Sequence, residues 1–283
     1  MDVTISIVSY NTKDLLRRCL SSIQEHTANI SYEIFVVDNA SADGSAAMVQ
    51  AQFPQVHLIA NRENLFFSKA HGQALSKAQG RYCVILNPDL YLEENVFEPL
   101  VHFMDQHSEV GSVGPKIVGT DHLPQGSGDR FPDFWYGLFE LLLLNTVWKT
   151  NPSRSLRIRP NWSRDTTESV DTLGGACILV RTSLFETVGK LDEGFLMYWE
   201  EIDWCKRISD AGWKNYFFSE VQVVHHGGAS SSLHSKIKRD CIFYGSMLYY
   251  YKKHHGAVVY FILNFICRLF TLPVLKMVRK FKN

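Results

Sequence analysis

Apolar and polar positions alternate in short blocks along the first ninety residues, and these blocks predict strands and helices in turn. From Lys13 to Ile23 the apolar side chains recur at helical spacing, which indicates an amphipathic helix. Thr12 is predicted to cap this helix, and further helices are predicted over residues 45–52, 67–78 and 134–148. The polar, arginine-rich residues 151–167 are predicted to form a loop. Apolar runs short enough for strands lie at residues 3–8, 34–37, 56–60 and 82–86. Because strands and helices alternate at the spacing of βαβ units, we expect a parallel sheet flanked by helices.

The tetrapeptide Leu86-Asn87-Pro88-Asp89 closes the last of these runs, which is predicted to be a strand buried on both faces. The ligand crevice of an open α/β sheet lies at the carboxyl ends of its strands, so Asp89 is expected there. Pro88 stiffens the turn before it. A single carboxylate on such a loop suits a divalent cation that also holds a diphosphate. The alternative is an ordinary turn in which Asp89 bonds its own backbone.

Polar residues also follow the first two strands. Ser9 and Asn11 offer hydrogen-bond partners after the first, and Asp38 after the second can accept from the imide N–H of a uracil or thymine base. Taken singly, Asp38 and Asp43 are better explained by helix capping and turn formation. The glycine-rich phosphate loops of dinucleotide enzymes and P-loop ATPases do not follow either strand, which argues against both classes.

Three carboxylates lie close together in the second half of the chain, at Glu200, Glu201 and Asp203. A helix that begins near Glu200 favours acids in its first turn, which is one explanation. The other is a general base beneath an acceptor pocket. His225 follows a further apolar run and can ligate a cation or contact phosphate, although a lone histidine is more often simply hydrogen-bonded. At Gly174-Gly175 we expect the backbone to approach a ligand closely.

Residues 241–283 carry seven Lys and Arg and no Asp or Glu, although the formal net charge of the chain is zero. Within this tail, Asn264, Arg268 and Thr271 form a polar stripe on an otherwise apolar helix. Its longest uncharged piece, residues 256–267, is shorter than the roughly 20 residues that span a bilayer. We therefore predict an interfacial helix near anionic lipid, the alternative being a helix docked on the body.

The six cysteines are scattered singly, so neither a zinc site nor a disulfide framework is indicated. The sequence begins with a strand pattern and not with a signal peptide. We expect a protein on the cytoplasmic face of the inner membrane, attached peripherally by its tail, with no nucleic acid as partner.

The order of the motifs resembles that of the family 2 inverting glycosyltransferases, in the branch that includes bacterial rhamnosyltransferases of O-antigen and cell-wall assembly. The resemblance covers residues 3 to about 250. The motifs are Ser9-Tyr10-Asn11, residues 37–45, Leu86-Asn87-Pro88-Asp89, Gly174-Gly175, Arg181, Phe195-x-x-Tyr198-x-Glu200-Glu201-x-Asp203 and His225-x-Gly227-Gly228-x-Ser230.

The resemblance implies an α/β fold of the GT-A type, with a Rossmann-like mixed and mostly parallel sheet flanked by helices. Residues 1–240 would form the glycosyltransferase domain, in which 1–115 bind the nucleotide-sugar and 116–240 the acceptor. Residues 241–283 would form a basic amphipathic helical tail.

It also implies roles for individual residues. The nucleotide-binding set is Ser9, Tyr10, Asn11, Asp38, Asn39, Ser41, Asp43, Asn64, Lys69 and Asn87. Asp89 and His225 would hold Mg²⁺ or Mn²⁺ at the diphosphate. The donor and acceptor pocket would include Gly174, Gly175, Tyr198 and Trp199. The general base corresponds to Glu201, with Glu200 and Asp203 as alternatives.

Three positions depart from the family pattern. Asn87-Pro88-Asp89 stands in place of Asp-x-Asp, a form common in the rhamnosyltransferase-like branch. Phe66 occupies the glycine of an Asn-x-Gly-Phe motif. Glu201 stands where Asp is usual, which moves the carboxylate outward by one methylene.

We interpret the chain as an inverting, metal-dependent glycosyltransferase that moves L-rhamnose or another deoxyhexose from dTDP or UDP to a lipid-linked or polysaccharide acceptor. A sugar nucleotidyltransferase is a rival, but residues 8–13 do not provide its glycine-rich basic loop. A rival of another class is a catalytically inactive homologue that binds nucleotide and acts as a scaffold.

Overall fold

The computed structural model describes residues 1–227 and 236–280, and its strands form one mixed sheet. The strands are β1 (Val3–Ser9), β2 (Tyr32–Asp38), β3 (His57–Ala60), β4 (Tyr82–Leu86), β5 (Leu90–Tyr91), β6 (Val110–Val118), β7 (Glu168–Val170), β8 (Cys177–Arg181) and β9 (Lys214–His225). Their order across the sheet is β3-β2-β1-β4-β8-β6-β9-β5, and β7 pairs with β9.

Helices flank this sheet, so the predicted α/β fold class is confirmed. The helices are α1 (Lys13–His26), α2 (Ser45–Gln52), α3 (Phe66–Leu75), α4 (Phe97–Gln106), α5 (Phe134–Leu141), α6 (Leu144–Val147), α7 (Pro152–Ile158), α8 (Glu200–Asp210), α9 (Lys236–His254), α10 (Gly256–Ile266) and α11 (Leu272–Lys280). A 3-10 turn spans Thr182–Phe185, and a π-helical turn, Cys267–Thr271, joins α10 to α11.

The first half of the sheet is parallel, as its βαβ pattern predicts. Strand β1 lies between β2 and β4, and β2 pairs with β3 in the same direction. Every residue of β1 and β4 is buried, because helices cover both faces of a sheet built this way.

The second half is mixed. Strand β8 enters between β4 and β6 and runs antiparallel to both, while β6 and β9 are parallel. The guanidinium of Arg181, at the end of β8, donates to the carbonyl oxygens of Met104, Val110 and His107. This residue of the motif set therefore ties β8 to α4 and β6, outside the cavity described below.

The C-terminal helices pack on the body and also expose an apolar face. Leu263, Cys267 and Thr271 recur every four residues and are buried, and the Thr271 hydroxyl donates to the carbonyl oxygen of Leu141. The opposite face exposes Val258, Phe261, Ile262, Phe265 and Leu269. The stretch Gly256–Val278 is long and apolar enough to cross a membrane, and only 17% of it is buried. The uncharged residues 256–267 alone are too few to span a bilayer, so they did not indicate this length.

Several local predictions differ from the structure. Thr12 precedes α1, but its hydroxyl bonds Ser9 instead of capping the helix, and the Asp43 carboxylate accepts from the Lys13 N–H. The helix predicted over residues 134–148 breaks at Leu143, which has a φ of 59°. The loop predicted over residues 151–167 contains α7, which Asn151 caps.

Gly228 and Ser230 lie outside the described residues. The boundary predicted at residue 240 falls within α9.

Candidate active site

A cavity of about 390 Å³ opens where several strands end. Val8 of β1, the loop after β4, Ala176 before β8 and His225 at the end of β9 all line it. Because β8 runs antiparallel to β4, its start lies at the same edge of the sheet as the end of β4. The predicted site residues that line this cavity are Tyr10, Asn39, Asn64, Asn87, Asp89, Gly174, Gly175, Tyr198, Glu200, Glu201 and His225.

Asp89 and His225 face each other on one side of the cavity. An Asp89 carboxylate oxygen lies 3.3 Å from His225 Nε2, and the Asn87 amide nitrogen lies 3.3 Å from the same atom. Gln125 fixes the ring: its amide N–H donates to the His225 carbonyl oxygen, and its Oε1 lies 2.8 Å from His225 Nδ1. Since Oε1 can only accept, Nδ1 carries the proton in the neutral ring and Nε2 faces the cavity as an acceptor.

This pair fits a divalent cation. An imidazole whose Nδ1–H is held by an amide oxygen is the usual arrangement of a metal-ligating histidine. A carboxylate oxygen is a ligand that both Mg²⁺ and Mn²⁺ accept, and an imidazole nitrogen is a common ligand of divalent transition-metal ions. Among the described residues no group of three or more His, Cys, Asp or Glu side chains is arranged to hold a metal. The remaining ligands would therefore come from a bound diphosphate and water.

Glu200 and Glu201 lie in the first turn of α8, and both line the cavity. Burial, and then the neighbouring Glu201, raise the pKa of Glu200 well above its usual range. Within the described part of the chain, Glu200 Oε2 is buried without a hydrogen-bond partner. Burial also raises the pKa of Glu201, while Arg157 lowers it and Asp129 raises it further. Both carboxyls therefore hold a proton more readily than a free glutamic acid does, and because they interact they titrate as a pair.

Glycines make room for these acids. A Cβ at Gly175 would lie 3.4 Å from the Glu201 side chain, and a Cβ at Gly174 would lie 2.9 Å from Ile117 and 3.2 Å from the Gly126 carbonyl oxygen. Within the protein, the backbone of this pair is therefore close to the Glu201 side chain and to Ile117, and its expected approach to a ligand stays a prediction.

The turn before α8 is strained. Tyr198 and Trp199 have φ values of 69° and 72°, a region that costs a non-glycine residue about 1–2 kcal/mol. Tyr198 lines the cavity, whereas Trp199 is buried behind it. Consecutive left-handed residues before a helix turn the chain sharply, which brings the first turn of α8 to the cavity.

Phe66 keeps the backbone conformation of the glycine that it replaces. Its φ is 61°, in the left-handed region that glycine favours. The Asn64 side chain accepts from the Phe66 N–H, and the Asn39 amide donates to the Phe66 carbonyl oxygen. The strained turn is thus held by two asparagines, and the Phe66 ring lines the cavity beside Phe67.

Other predicted nucleotide residues hold the two strand-end loops together. The Asn11 N–H donates to Ser41 Oγ, and Asn11 Oδ1 accepts from the Ala42 N–H. The Asp43 carboxylate accepts from the backbone N–H groups of Lys13 and Ser45. Ser9, Asn11, Ser41 and Asp43 do not line the cavity.

Asp38 is different from these loop residues because one oxygen stays without a partner. It is 3% exposed, and its Oδ2 accepts from the Ser41 N–H. Its Oδ1 is buried and lacks a hydrogen-bond partner among the residues that the structure describes. A buried acceptor in this state is costly unless a ligand donates to it.

Two further predicted residues lie away from the cavity. Lys69 is exposed on α3. Asp203 is fully buried behind the acids, where Arg207, Lys253 and His254 all bond its carboxylate. Burial alone would raise the pKa of Asp203, but these three partners outweigh it and hold the pKa at about 2. A carboxylate so occupied is unsuited to accept a proton, so the interpretation of Asp203 as a base is corrected.

Sequence reasoning missed Gln125, which orients the His225 ring, and the cavity residues Ile117 and Met197. The only signal for Gln125 was its place before the turn-forming Gly126-Ser127-Gly128. Its partner His225 is one hundred residues distant, so no local pattern could pair them.

Comparisons with known proteins agree with this architecture. A family model described as glycosyl transferase family 2 matches residues 4–188. The chain is 26% identical over 239 residues to the N-acetylglucosaminyl-diphospho-decaprenol L-rhamnosyltransferase of Mycobacterium tuberculosis, covering 79% of this chain and 76% of that protein. It is 25% identical over 227 residues to the low-salt glycan biosynthesis hexosyltransferase Agl10 of Haloferax volcanii, covering 79% of this chain and 66% of that one.

A solved structure shows the same fold. GalNAc-T7 with UDP, GalNAc and Mn²⁺ superposes with a TM-score of 0.60 at 17% identity, and the match covers 80% of this chain but only 44% of GalNAc-T7. The GT-A fold expected from the motif order is therefore confirmed.

Proposed function

The chain belongs to glycosyl transferase family 2, and from that premise we propose that it transfers a sugar with inversion from a nucleotide diphosphate to an acceptor hydroxyl in cell-surface polysaccharide assembly. One observation carries the proposal. Asp89 and His225, which suit a metal-bound diphosphate, line the same cavity as the raised-pKa carboxyls of Glu200 and Glu201. One cavity therefore contains residues that suit the donor diphosphate and carboxyls that suit the acceptor hydroxyl.

The donor that we propose is dTDP-L-rhamnose, or the dTDP or UDP form of another hexose or deoxyhexose. Asp38 does not line the cavity, but its buried Oδ1 has no partner among the described residues, and a uracil or thymine base could donate its imide N–H to that atom once the adjoining strand-end loops open. The rhamnosyl unit and a lipid-linked acceptor are suggested by the name of the M. tuberculosis relative.

The transfer that we propose is a single displacement. Glu201, as the carboxylate of the coupled pair, accepts the proton of the acceptor hydroxyl while that oxygen attacks the anomeric carbon. The bond from that carbon to the diphosphate breaks and the diphosphate leaves with the electron pair. Glu200, whose pKa is raised by burial and by Glu201, would in its protonated form donate a hydrogen bond to a substrate oxygen.

Mg²⁺ or Mn²⁺ at Asp89 and His225 would, when bound, neutralise charge on the leaving diphosphate. Gln125 contributes by holding the imidazole in the tautomer that leaves Nε2 free to ligate.

For the tail we propose attachment to the cytoplasmic membrane surface. One face of α10 and the following π-helical turn is already packed on the body through Leu263, Cys267 and Thr271, whereas the apolar opposite face is exposed. A helix covered along one side fits a position in the plane of the membrane interface better than a crossing. Arg268 and Lys276 on this segment suit anionic lipid.

A thermal-shift screen tests the proposed function. We expect Tm to rise with the correct dTDP or UDP compound, and more so with Mn²⁺, because a ligand at 100 times its Kd stabilises the native state by about 2.7 kcal/mol. Asp89→Asn should remove the additional rise in Tm that Mn²⁺ causes. Asp14→Asn on α1, where the side chain is 86% exposed, is the matched control and should behave as wild type.

No shift of folded protein with any dTDP, UDP or GDP sugar would contradict the proposal. Binding of nucleotide without consumption of sugar, under every acceptor tried, would favour the scaffold alternative.

A further inference from the structure

Helix α9 runs beside residues 192–203, the segment that carries Glu200 and Glu201. Side chains of α9 form hydrogen bonds with the backbone and side chains of this segment. Ser246 Oγ donates to the Met197 carbonyl oxygen at 2.9 Å. The Tyr249 hydroxyl donates to the Asp192 carboxylate at 3.2 Å, and Lys253 Nζ donates to the same oxygen at 2.6 Å.

Aromatic packing extends this attachment to the strained turn. The Trp199 ring lies 5.9, 5.4 and 6.0 Å, between centroids, from the rings of Phe243, Tyr250 and Tyr251. Positions 243, 246, 250 and 253 lie on one face of α9, and Tyr249 and Tyr251 flank that face on either side. The left-handed turn that precedes Glu200 is therefore held from behind by α9.

Asp203 supplies the strongest link. It is fully buried on α8, and its Oδ1 lies 2.8 Å from both Lys253 Nζ and His254 Nε2 of α9. Its Oδ2 accepts from the Arg207 guanidinium, one turn along α8, at 2.8 Å. Because Asp203 is fully buried, water cannot replace these partners, so the contacts constrain the position of α8 against α9.

We propose that Lys253 and His254, acting through Asp203, are positioning residues for the acids of the active site. They would hold the first turn of α8, and with it Glu201, at the cavity. This inference rests on the proposed function, in which Glu201 is the base. It makes α9 part of the catalytic unit, whereas the exposed face of α10 serves attachment.

The physical reason is the precision that proton transfer requires. A misplacement of about 1 Å can lower the rate about 100-fold. The two left-handed residues before α8 do not hold their own conformation, since φ values near 70° are unfavourable for Tyr and Trp. The position of the acids must therefore be maintained by contacts from outside the segment.

The test uses three variants of the full chain, assayed without anionic lipid. Lys253→Met removes one ammonium from Asp203 and Asp192, and Lys253→Arg keeps the charge. Lys252→Met is the matched control, because it makes the same chemical change one residue earlier, where the ammonium lies over the Tyr260 ring and not against residues 192–203. His254→Phe, which keeps a ring but removes the bond to Asp203, serves if Lys253→Met does not fold.

We expect Lys253→Met to lower kcat about tenfold or more while the donor KM stays within about twofold of wild type. Amide hydrogen exchange should become faster in residues 192–203 and stay unchanged in β1 and β4. Lys253→Arg and Lys252→Met should retain the wild-type kcat.

A wild-type kcat and wild-type exchange in folded Lys253→Met, or in His254→Phe if that variant is used, would overturn the inference. So would an equal loss of kcat in Lys252→Met. If the wild-type protein transfers no sugar, the proposed function fails, and the exchange of residues 192–203 still decides whether α9 positions this segment.

Discussion

The folded protein buries the carboxyl group of Glu200 without satisfying all of its hydrogen-bonding capacity. It is 4% exposed, and one of its oxygens is buried without a partner among the described residues. Residues that cost stability in this way are typical of functional sites, where an unpaired group awaits substrate. The neighbouring Glu201 increases the cost because two carboxylates at one site repel each other when both are ionised.

Glu200→Gln should therefore stabilise the protein at neutral pH. The native pKa of Glu200 lies above its unfolded value of about 4.5, so the native state binds more protons in that interval and stability falls as pH rises. Each unit of that difference corresponds to about 1.4 kcal/mol. Urea unfolding at pH 5 and pH 8 should show a gain for Glu200→Gln at pH 8 and a smaller one at pH 5.

The exposed Glu193→Gln is the control and should change little at either pH. A loss of stability in Glu200→Gln at pH 8 would show that the carboxylate is satisfied in the native state. Glu201 is the neighbouring carboxyl whose titration enters the same profile, and the charges of Arg157 and Asp129 act on it.

Phe66 offers a second test at the same scale. At a φ of 61° alanine is strained and glycine is not, although glycine loses more backbone entropy on folding. Both replacements remove the ring equally, so Phe66→Gly should be more stable than Phe66→Ala by about 0.5–1 kcal/mol. Chemical denaturation of the two variants measures this. The reverse order would mean that the turn relaxes when the ring is removed.

At the scale of elements, the strand-end loops were predictable and the helix packing was not. Alternating apolar blocks predicted β1, β2 and β4, and parallel-sheet geometry then placed Asp89 at the crevice edge. The pairing of Asp89 with His225 required the motif resemblance, since 136 residues separate them. The contact between α9 and Trp199 could not be predicted, because the aromatic residues of α9 form an apolar pattern that does not indicate which residue they pack against.

The contact between α9 and residues 192–203 predicts opposite effects for two glycines. A Cβ at Gly194 would lie 2.6 Å from the Tyr249 ring, so Gly194→Ala should destabilise the protein by about 1–3 kcal/mol. A Cβ at Gly245, within α9, would meet nothing within 4 Å. Gly245→Ala should therefore stabilise the helix by about 1 kcal/mol. Thermal unfolding of both variants checks the pair, and a stable Gly194→Ala would argue against tight packing here.

At the scale of the whole molecule, a charge asymmetry and an apolar face coincide. The tail has no acidic residue, so the rest of the chain is correspondingly acidic. The exposed apolar face of α10 belongs to the same tail. An acidic body with a basic, apolar tail would orient on an anionic membrane with the tail inward.

Replacing only the exposed face tests this orientation. Phe261→Ser, Phe265→Ser and Leu269→Ser together should lower sedimentation with anionic liposomes while donor binding stays unchanged, because the buried stripe is retained. Leu123→Ser, at a residue 64% exposed outside the tail, is the control. Wild-type liposome binding by the triple variant would exclude this face as the attachment.

The most direct measurement of the central claim is sugar transfer itself. The protein is incubated with dTDP-rhamnose or UDP-sugars, Mn²⁺ and a polyprenyl-diphosphate-linked N-acetylglucosamine, and the product is followed by mass spectrometry and NMR. We predict a mass gain of one sugar, an anomeric configuration opposite to that of the donor, and a rate reduced about 10²–10⁴-fold in Glu201→Gln but not in Glu193→Gln. A retained configuration, a wild-type rate in Glu201→Gln, or no product from any donor that binds would contradict the account.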